Sequence, residues 1–244
     1  MKILLDLRKN AYENLAVYFE EAKKWRKKAD GAKKAIGKVQ EKKAKIVKKD
    51  LARKTGWIEH FHHCKTSGGF SVVSGKDAKQ NDQLVARHLK TGDLFFHAEI
   101  VGASATILKT EGGKPFSKTD LEQAAQMAAS YSRAWKQGYP VVDVYAVKPE
   151  QVSKNSQGEY VGKGAFLISG ERQWFRNTEL KLFLKPQADG VAVVPFAQTV
   201  RPEGAVLIQP GDVLKEQAAK TLARRFSLRE ELLLSVLPGD VSIS

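Results

Sequence analysis

Gly69-Phe70-Ser71-Val72-Val73-Ser74-Gly75-Lys76-Asp77-Ala78-Lys79-Gln80-Asn81-Asp82 is the stretch in which the fold becomes readable. Phe70, Val72 and Val73 predict a strand, entered from the tight turn Ser67-Gly68-Gly69. At Asp77 the period changes: Leu84, Val85 and Leu89 share one face of a helix over 77–89, which Gly92-Asp93 ends. Upstream, Trp57, Ile58 and Phe61 read as a short helix or turn. Downstream, Leu94 to Ile100 and Ala105 to Leu108 predict two strands around Gly102-Ala103-Ser104. Thr119 to Trp135 is the clearest helix, with Thr119 as N-cap, Glu122 completing a capping box, and Gly138 and Pro140 closing it. Val141 to Val147, Gly164 to Ile168 and Leu180 to Leu184 predict further strands. The tail carries apolar runs at Val191–Val194 and Ala205–Ile208, a helix near Lys215–Phe226 and a Pro238-Gly239-Asp240 turn. The class that results is α+β, a mixed, mostly antiparallel sheet flanked by helices. No internal repeat is present.

Ahead of this body lies a different texture. Tyr12, Leu15, Phe19, Ala22, Trp25, Ala29, Ala32, Ile36, Val39 and Ile46 recur in steps of three, four or seven, a nearly heptad amphipathic helix. Roughly 35 helical residues at about 1.5 Å each would make an arm of about 50 Å. Gly31 and Gly37 weaken its middle, so a bend or a two-helix hairpin near Ala29–Gly31 is an alternative. Residues 1–54 hold 18 Lys+Arg against 7 Asp+Glu, whereas the remaining 190 residues hold 23 against 20. The net charge of +14 is therefore mostly the arm's. Such a block points to a polyanion, for which nucleic acid is the commonest candidate; a solvated helix is the bland alternative. The expected organisation is a basic helical, coiled-coil-like arm at 1–54, an α+β domain at 55–186 and a small β-containing segment at 187–244. In 244 residues, 42% are hydrophobic and 28% charged, a globular balance, and no stretch has the roughly 20 apolar residues that span a bilayer. No membrane partner is expected. One cysteine, Cys64, fits a reducing, cytoplasmic setting.

Several chemistries can be weighed from residue types. His60, His62, His63 and Cys64 are four possible metal ligands in five positions, and His97 and Glu99 share one face of a predicted strand. Ligands so close in sequence rarely converge on one ion without help from elsewhere, so no metal and no cofactor is expected. No nucleophile motif accompanies the histidines. The glycine-rich Gly158–Gly164 run lacks both Walker and GxGxxG spacing and reads as a turn. Nucleic-acid binding has more support. Lys76, Lys79, Arg87 and Lys90 recur along the first body helix and its flanks, with Gln80, Asn81 and His88 among them. Ser153, Lys154, Asn155, Lys163, Arg172, Trp174 and Arg176 interleave cations with an aromatic surface. Rings and guanidinium groups suit unstacked bases, and lysines supply salt-dependent affinity.

An ordered series of motifs then carries a family resemblance. It runs Trp57-Ile58-Glu59-His60-Phe61, Gly69 to Asp82, Gly92-Asp93-Leu94-Phe95-Phe96-His97-Ala98-Glu99 and Gly102-Ala103-Ser104. It continues through Ser130, Ser132, Ala134 and Trp135, then Asp143 to Val147, Gln151-Val152-Ser153-Lys154, Gly158-Glu159-Tyr160 and Lys163-Gly164-Ala165-Phe166. Over residues 57–185 the chain resembles the NFACT-R domain, the RNA-binding-type module of the NFACT family of ribosome-associated quality-control factors. Asn14-Leu15 through Ala35-Ile36 is similar to the helical segment preceding that domain. The tail, with Pro210-Gly211-Asp212, looks like the archaeal branch. The sequence departs from the pattern at Lys76 (usually Arg), at His62-His63-Cys64 (usually more aromatic) and at Val101, where many eukaryotic members carry a second histidine.

The resemblance implies a non-enzymatic role in rescue of stalled translation. Partners would be the large ribosomal subunit through its rRNA, and tRNA for untemplated C-terminal tailing of the stalled peptide. The family's NFACT-N and helix-hairpin-helix regions would be a further partner, because this chain starts within the pre-domain helices. Mapped onto it, Lys76, Asp77, Gln80, Asn81, His97, Ser104, Gln151 and Lys154 are candidate RNA-binding residues. The cations of the first body helix add Arg87, and the cation–aromatic pattern adds Lys163, Arg172 and Arg176. On the arm, Lys23, Lys24, Arg26, Lys27, Lys28, Lys33, Lys34 and Lys38 are candidate phosphate contacts. Each has a structural alternative: Asp77 as a helix cap, His97 as a partner of buried backbone, Trp135 as core. The contrasting functional class is a protein-interaction adaptor that oligomerises or docks through the arm; an enzyme using His97 and Glu99 would need a deep pocket holding both.

Overall fold

The computed structural model describes residues 5–8, 10–16, 18–19, 21–29, 31, 56–110, 112–156, 159–188 and 190–244. The chain separates into two compact units, Met1–Gly56 and Trp57–Ser244.

In the first unit, residues 11–16, 18–19, 21–29 and 31 are helical. Asn10 starts this helix: its Oδ1 accepts the Glu13 N–H and the Glu13 carboxylate accepts the Asn10 N–H, both at 2.9 Å. Lys23, Lys24, Arg26, Lys27 and Lys28 are exposed on it. Lys33, Lys34 and Lys38 lie outside the described residues, as does most of the expected arm beyond Gly31.

The second unit begins with a 3-10 turn at Trp57–His60. Its first sheet takes β1 (His62–Lys65), β2 (Ser71–Ser74), β3 (Leu94–Ala98), β4 (Thr106–Leu108) and β5 (Val141–Val147). Four two-residue strands follow, β6 (Val152–Ser153), β7 (Asn155–Ser156), β8 (Glu159–Tyr160) and β9 (Leu167–Ile168). Then come β10 (Gln173–Glu179), β11 (Leu182–Gln187), β12 (Gly190–Pro195), β13 (Val206–Val213) and β14 (Val241–Ile243). The helices of this unit are α1 (Ala78–His88), α2 (Lys118–Ser130), α3 (Arg133–Lys136), α4 (Lys215–Phe226) and α5 (Glu230–Val236). One sheet has the order β1-β2-β4-β3-β5-β10, a second β12-β11-β13-β14, and two small ribbons pair β6 with β9 and β7 with β8. The α+β class holds. Where a mixed sheet was expected, every strand pair among the described residues is antiparallel.

The two-residue period of the strands splits the first sheet into two faces. Phe96, Ala98, Val144 and Ala146 join α2 and the second sheet in one large core with Met127, Leu182, Leu184 and Ile208. Phe95, Tyr145 and Val147 face the other way, against Val85 of α1, Phe166 and Trp174. Strand β11 runs across the 186–187 division expected from the sequence, and the first core continues through it.

Local differences have local causes. The α2 cap is Ser117 rather than Thr119. Ser117 Oγ accepts the Asp120 N–H, and the Asp120 carboxylate accepts the Ser117 N–H, so the capping box closes on Asp120 and not Glu122. That carboxylate also accepts the Gly68 N–H at 2.9 Å, tying α2 to the β1–β2 turn. The long helix ends at Ser130, because Ser132 caps a separate turn, α3. The strand expected over 164–168 shrinks to Leu167–Ile168, since Gly164 at φ +79° sits in a turn.

Two aromatic side chains fasten the C-terminal segment. The Tyr131 hydroxyl donates to the Val236 carbonyl at 2.6 Å, and Trp135 Nε1 donates to the Asp240 carbonyl at 2.8 Å. Tyr131→Phe leaves the Val236 carbonyl without its donor and should lower unfolding free energy by about 1 kcal/mol. Urea unfolding with an unchanged midpoint would show that this bond does not hold the segment.

Candidate nucleic-acid interface

The candidate interface lies on the α1-facing side of the first sheet, and α1's first turn organises it. Asp77 Oδ1 accepts the Gln80 N–H at 2.8 Å, the N-cap bond that starts the helix. Gln80 Oε1 accepts the Lys76 N–H at 3.1 Å, and its Nε2 donates to the His60 carbonyl at 3.3 Å. Asn81 is buried, and its Oδ1 accepts the Ala105 N–H at 3.1 Å. Gly75 packs directly on that amide, so any side chain at 75 would displace it. Asp82 accepts the Gly164 N–H at 3.0 Å and pairs with Lys154, whose Nζ also lies 4.6 Å from the Phe166 ring centre. A Cβ on Gly164 would lie 2.8 Å from Ala78 Cα, so the 161–168 loop and α1 approach more closely than a side chain allows.

A cavity of about 400 Å³ opens between these fastened segments. Lys76, Asp77, Asn81, His97, Ser104 and Lys163 all line it, with Phe95, Tyr145 and Phe166 as its aromatic walls. Six of the twelve body candidates therefore meet at one place. Ser104 Oγ donates to the Tyr131 carbonyl at 2.8 Å, so its hydroxyl proton is committed to the frame. Gln151 stands elsewhere and holds a turn: Nε2 donates to the Ser169 and Glu171 carbonyls at 2.8 Å each, and Oε1 accepts from Lys148 N. Arg87 is exposed on the last turn of α1, outside the cavity.

Register places the aromatic groups in a row. His97 of β3 pairs with Tyr145 of β5, and Tyr145 pairs with Trp174 of β10. The Arg172 guanidinium lies 4.6 Å from the Tyr145 ring centre and 5.9 Å from that of Trp174, while Arg176 lies 4.0 Å over Trp174. Arg176 is also paired with Asp143 at 2.6 Å. The contribution of Tyr145 was not singled out from the sequence; its alternation with Asp143 and Val147 was the available signal, but the β5–β10 pairing is non-local.

His97 is held neutral. Burial lowers its pKa to about 4, with the Ala98 backbone acting in the opposite sense and Arg172 lowering it further. Its Nδ1 is 3.5 Å from the Tyr145 hydroxyl. On β1 the alternation separates the other histidines and the cysteine: His62 and Cys64 point inward, and His63 is exposed. Burial pushes the Cys64 thiol up to about 12, and His62, stacked 3.9 Å from Tyr131, falls to about 3 through burial, Lys76, Lys215 and His63. Among the described residues no group of three or more His, Cys, Asp and Glu is arranged to hold a metal ion. Nor is any described helix long and apolar enough to cross a membrane.

Residues 60–170 match the family model described as the NFACT protein RNA binding domain. The chain is 36% identical over 270 aligned positions, 97% of its length, to the archaeal Rqc2 homolog aRqcH of Methanocaldococcus jannaschii. This chain belongs to the NFACT family. It is also 33% identical to the ribosome quality control complex subunit NEMF homolog of Drosophila melanogaster over 74% of the chain, and 34% to NEMF of Homo sapiens over 67%. It spans 39% of the archaeal relative and 19% and 16% of the two animal ones. Within the NFACT body, the cavity lies inside the matched segment, whereas Arg172, Trp174 and Arg176 follow it.

Two outcomes test this frame. Unfolded imidazoles take up protons near 6.5, and folded His62 and His97 do so only near 3 and 4. Their contribution to stability is therefore full above pH 6.5 and is lost as pH falls towards 4, at up to about 1.4 kcal/mol per pH unit for each group. His97→Asn should flatten that slope in pH-dependent denaturation; an unaltered slope would place the proton uptake elsewhere. Gly164→Val, which meets both the positive φ and Ala78, should cost about 1–3 kcal/mol. A variant with wild-type stability would show that the 161–168 loop is not pressed on α1.

Proposed function

We propose that this chain is a non-enzymatic RNA-gripping part of a factor that rescues stalled translation in the cytoplasm. The carrying observation is the in-register row His97–Tyr145–Trp174, overlaid by Arg172 and bordered by the cavity with Lys76 and Lys163. Flat rings flanked by cations bind unpaired nucleotides: stacking is tolerant of sequence, and the charges engage phosphates. A neutral His97 adds a ring that stacks and hydrogen-bonds without carrying charge. In this reading the body takes tRNA and the exposed cations of the arm lie along rRNA of the large subunit. Peptide-bond formation during tailing is left to the ribosome, so no bond-making step is assigned to this chain. The names of the two animal relatives, as ribosome quality control complex subunits, support that setting.

The second reading, a protein-interaction adaptor, is favoured by one observation. Tyr12, Leu15, Phe19 and Trp25 are 83, 51, 67 and 63% exposed at near-helical spacing on the first unit. Salt separates the two readings. Binding to tRNA and to purified large subunits should weaken steeply with salt. Changing Lys23, Lys24, Arg26, Lys27 and Lys28 together to Gln should make the log–log slope for subunits shallower by about 0.7–0.9 per lost phosphate contact. No binding to either RNA at low salt, together with concentration-dependent self-association, would replace RNA gripping with the adaptor.

A further inference from the structure

A second cavity, of about 570 Å³, lies beside the first and shares Lys76, Gly102 and Ser104 with it. Lys76 follows β2, Arg133 and Lys136 come from α3, and Lys215 opens α4; all four line it. We propose that this cavity holds a backbone phosphate of an RNA strand whose neighbouring base enters the His97 cavity. The inference rests on the RNA-binding reading and adds to it a named site, completed by a residue outside the matched NFACT segment.

Three observations carry it. Four cations from three chain segments converge, and among the described residues none of them forms an ion pair. Among the described residues that line the cavity none is a carboxylate; Glu216 and Asp240 raise the Lys215 pKa from outside it, and Asp240 Oδ1 is already engaged by the Lys215 backbone N–H at 2.8 Å. The lysine charges are also partly desolvated. Burial lowers the pKa of Lys76, and burial followed by Lys136 lowers that of Lys215, with Glu216 and Asp240 opposing and Lys76 adding to the decrease. Lys76, Arg133 and Lys136 are exposed and Lys215 is half-buried, so their like charges repel across an open pocket, and an anion among them relieves that repulsion. RNA is favoured over a free anion because the shared wall, Lys76 to Ser104, joins this cation cluster to an aromatic cavity. A nucleotide offers both groups.

The test uses the whole chain and a short single-stranded RNA across a salt series. Arg133→Gln with Lys215→Gln is compared with Lys114→Gln with Lys220→Gln, which removes the same charge from exposed positions elsewhere. The pocket variant should bind about tenfold more weakly near 0.1 M salt, with a slope shallower by roughly 1.4, and the control should change little. It should melt at or above the wild-type temperature, because repulsion has been relieved, which separates lost binding from lost folding. Equal affinity and slope in the two variants overturn the site while leaving RNA binding intact. If the wild type binds no RNA even at low salt, the functional reading itself fails. Inorganic phosphate that shifts the Lys76 and His62 NMR signals of the wild type in that case, but not those of the pocket variant, would mark a free-anion site and overturn the RNA assignment.

Discussion

The buried amide of Asn81 is the constraint on which the site depends. Its oxygen accepts the Ala105 N–H, and a glycine at 75 makes room for it. That bond acts beside the Gly75 N–H, which donates to the Ala105 carbonyl at 3.0 Å, and together they set the distance between the turn after β2 and the 102–105 loop, so that Lys76, Ser104 and His97 border one cavity. A buried amide stripped of its partner costs about 1–3 kcal/mol, so the arrangement is enforced rather than preferred. Its neighbours extend the same logic. Asp77, Gln80 and Asp82 bind the helix start, residues 60 and 76, and the 161–168 loop. One helical turn therefore fastens four pieces of chain.

This has a chemical consequence. The polar groups that could read a base edge here are largely spent on the protein's own backbone: Asn81 on Ala105, Ser104 on Tyr131, Gln80 on Lys76 and His60. What remains at the surface is cationic and aromatic, namely Lys76, Lys163, Arg172 and the half-buried Trp174, with Tyr145 buried beneath Arg172. Such a surface distinguishes a nucleic acid from other partners but discriminates weakly among bases. On the proposed function, such a site would hold RNA with little regard to its sequence.

Parts of this were legible in the sequence for physical reasons that are local. The change of period at Asp77, its capping role and the alternation of β3 and β5 depend on residues within a few positions of one another. The strands β1 and β10 were not legible, because His62–Lys65 lacks β-branched residues and Gln173–Glu179 is mostly polar; their partners β2 and β5 make them strands. The cap of α2 was misplaced by two residues for a related reason. Asp120 wins over Glu122 because its carboxylate also serves Gly68, a partner far away in sequence. The candidate site divided along the same line. Composition located the cations and rings, but only the folded chain shows that Gln151 holds a turn and that Lys215 approaches Lys76.

The matched segment ends at residue 170, yet the core does not. Strand β10 covers β5, which otherwise would present Val141–Val147 as an open apolar edge, and Leu182, Leu184, Val206 and Ile208 pack with Phe96, Val144 and Met127. Tyr131 and Trp135 reach forward to Val236 and Asp240. The proposed RNA-facing row inherits this dependence, since Trp174 lies on the strand that closes the sheet and Arg172 immediately precedes it. The fold is thus a property of the unit from Trp57 to Ser244, and a cut at the end of the matched segment would remove a wall of the proposed site along with more than a third of the buried apolar residues.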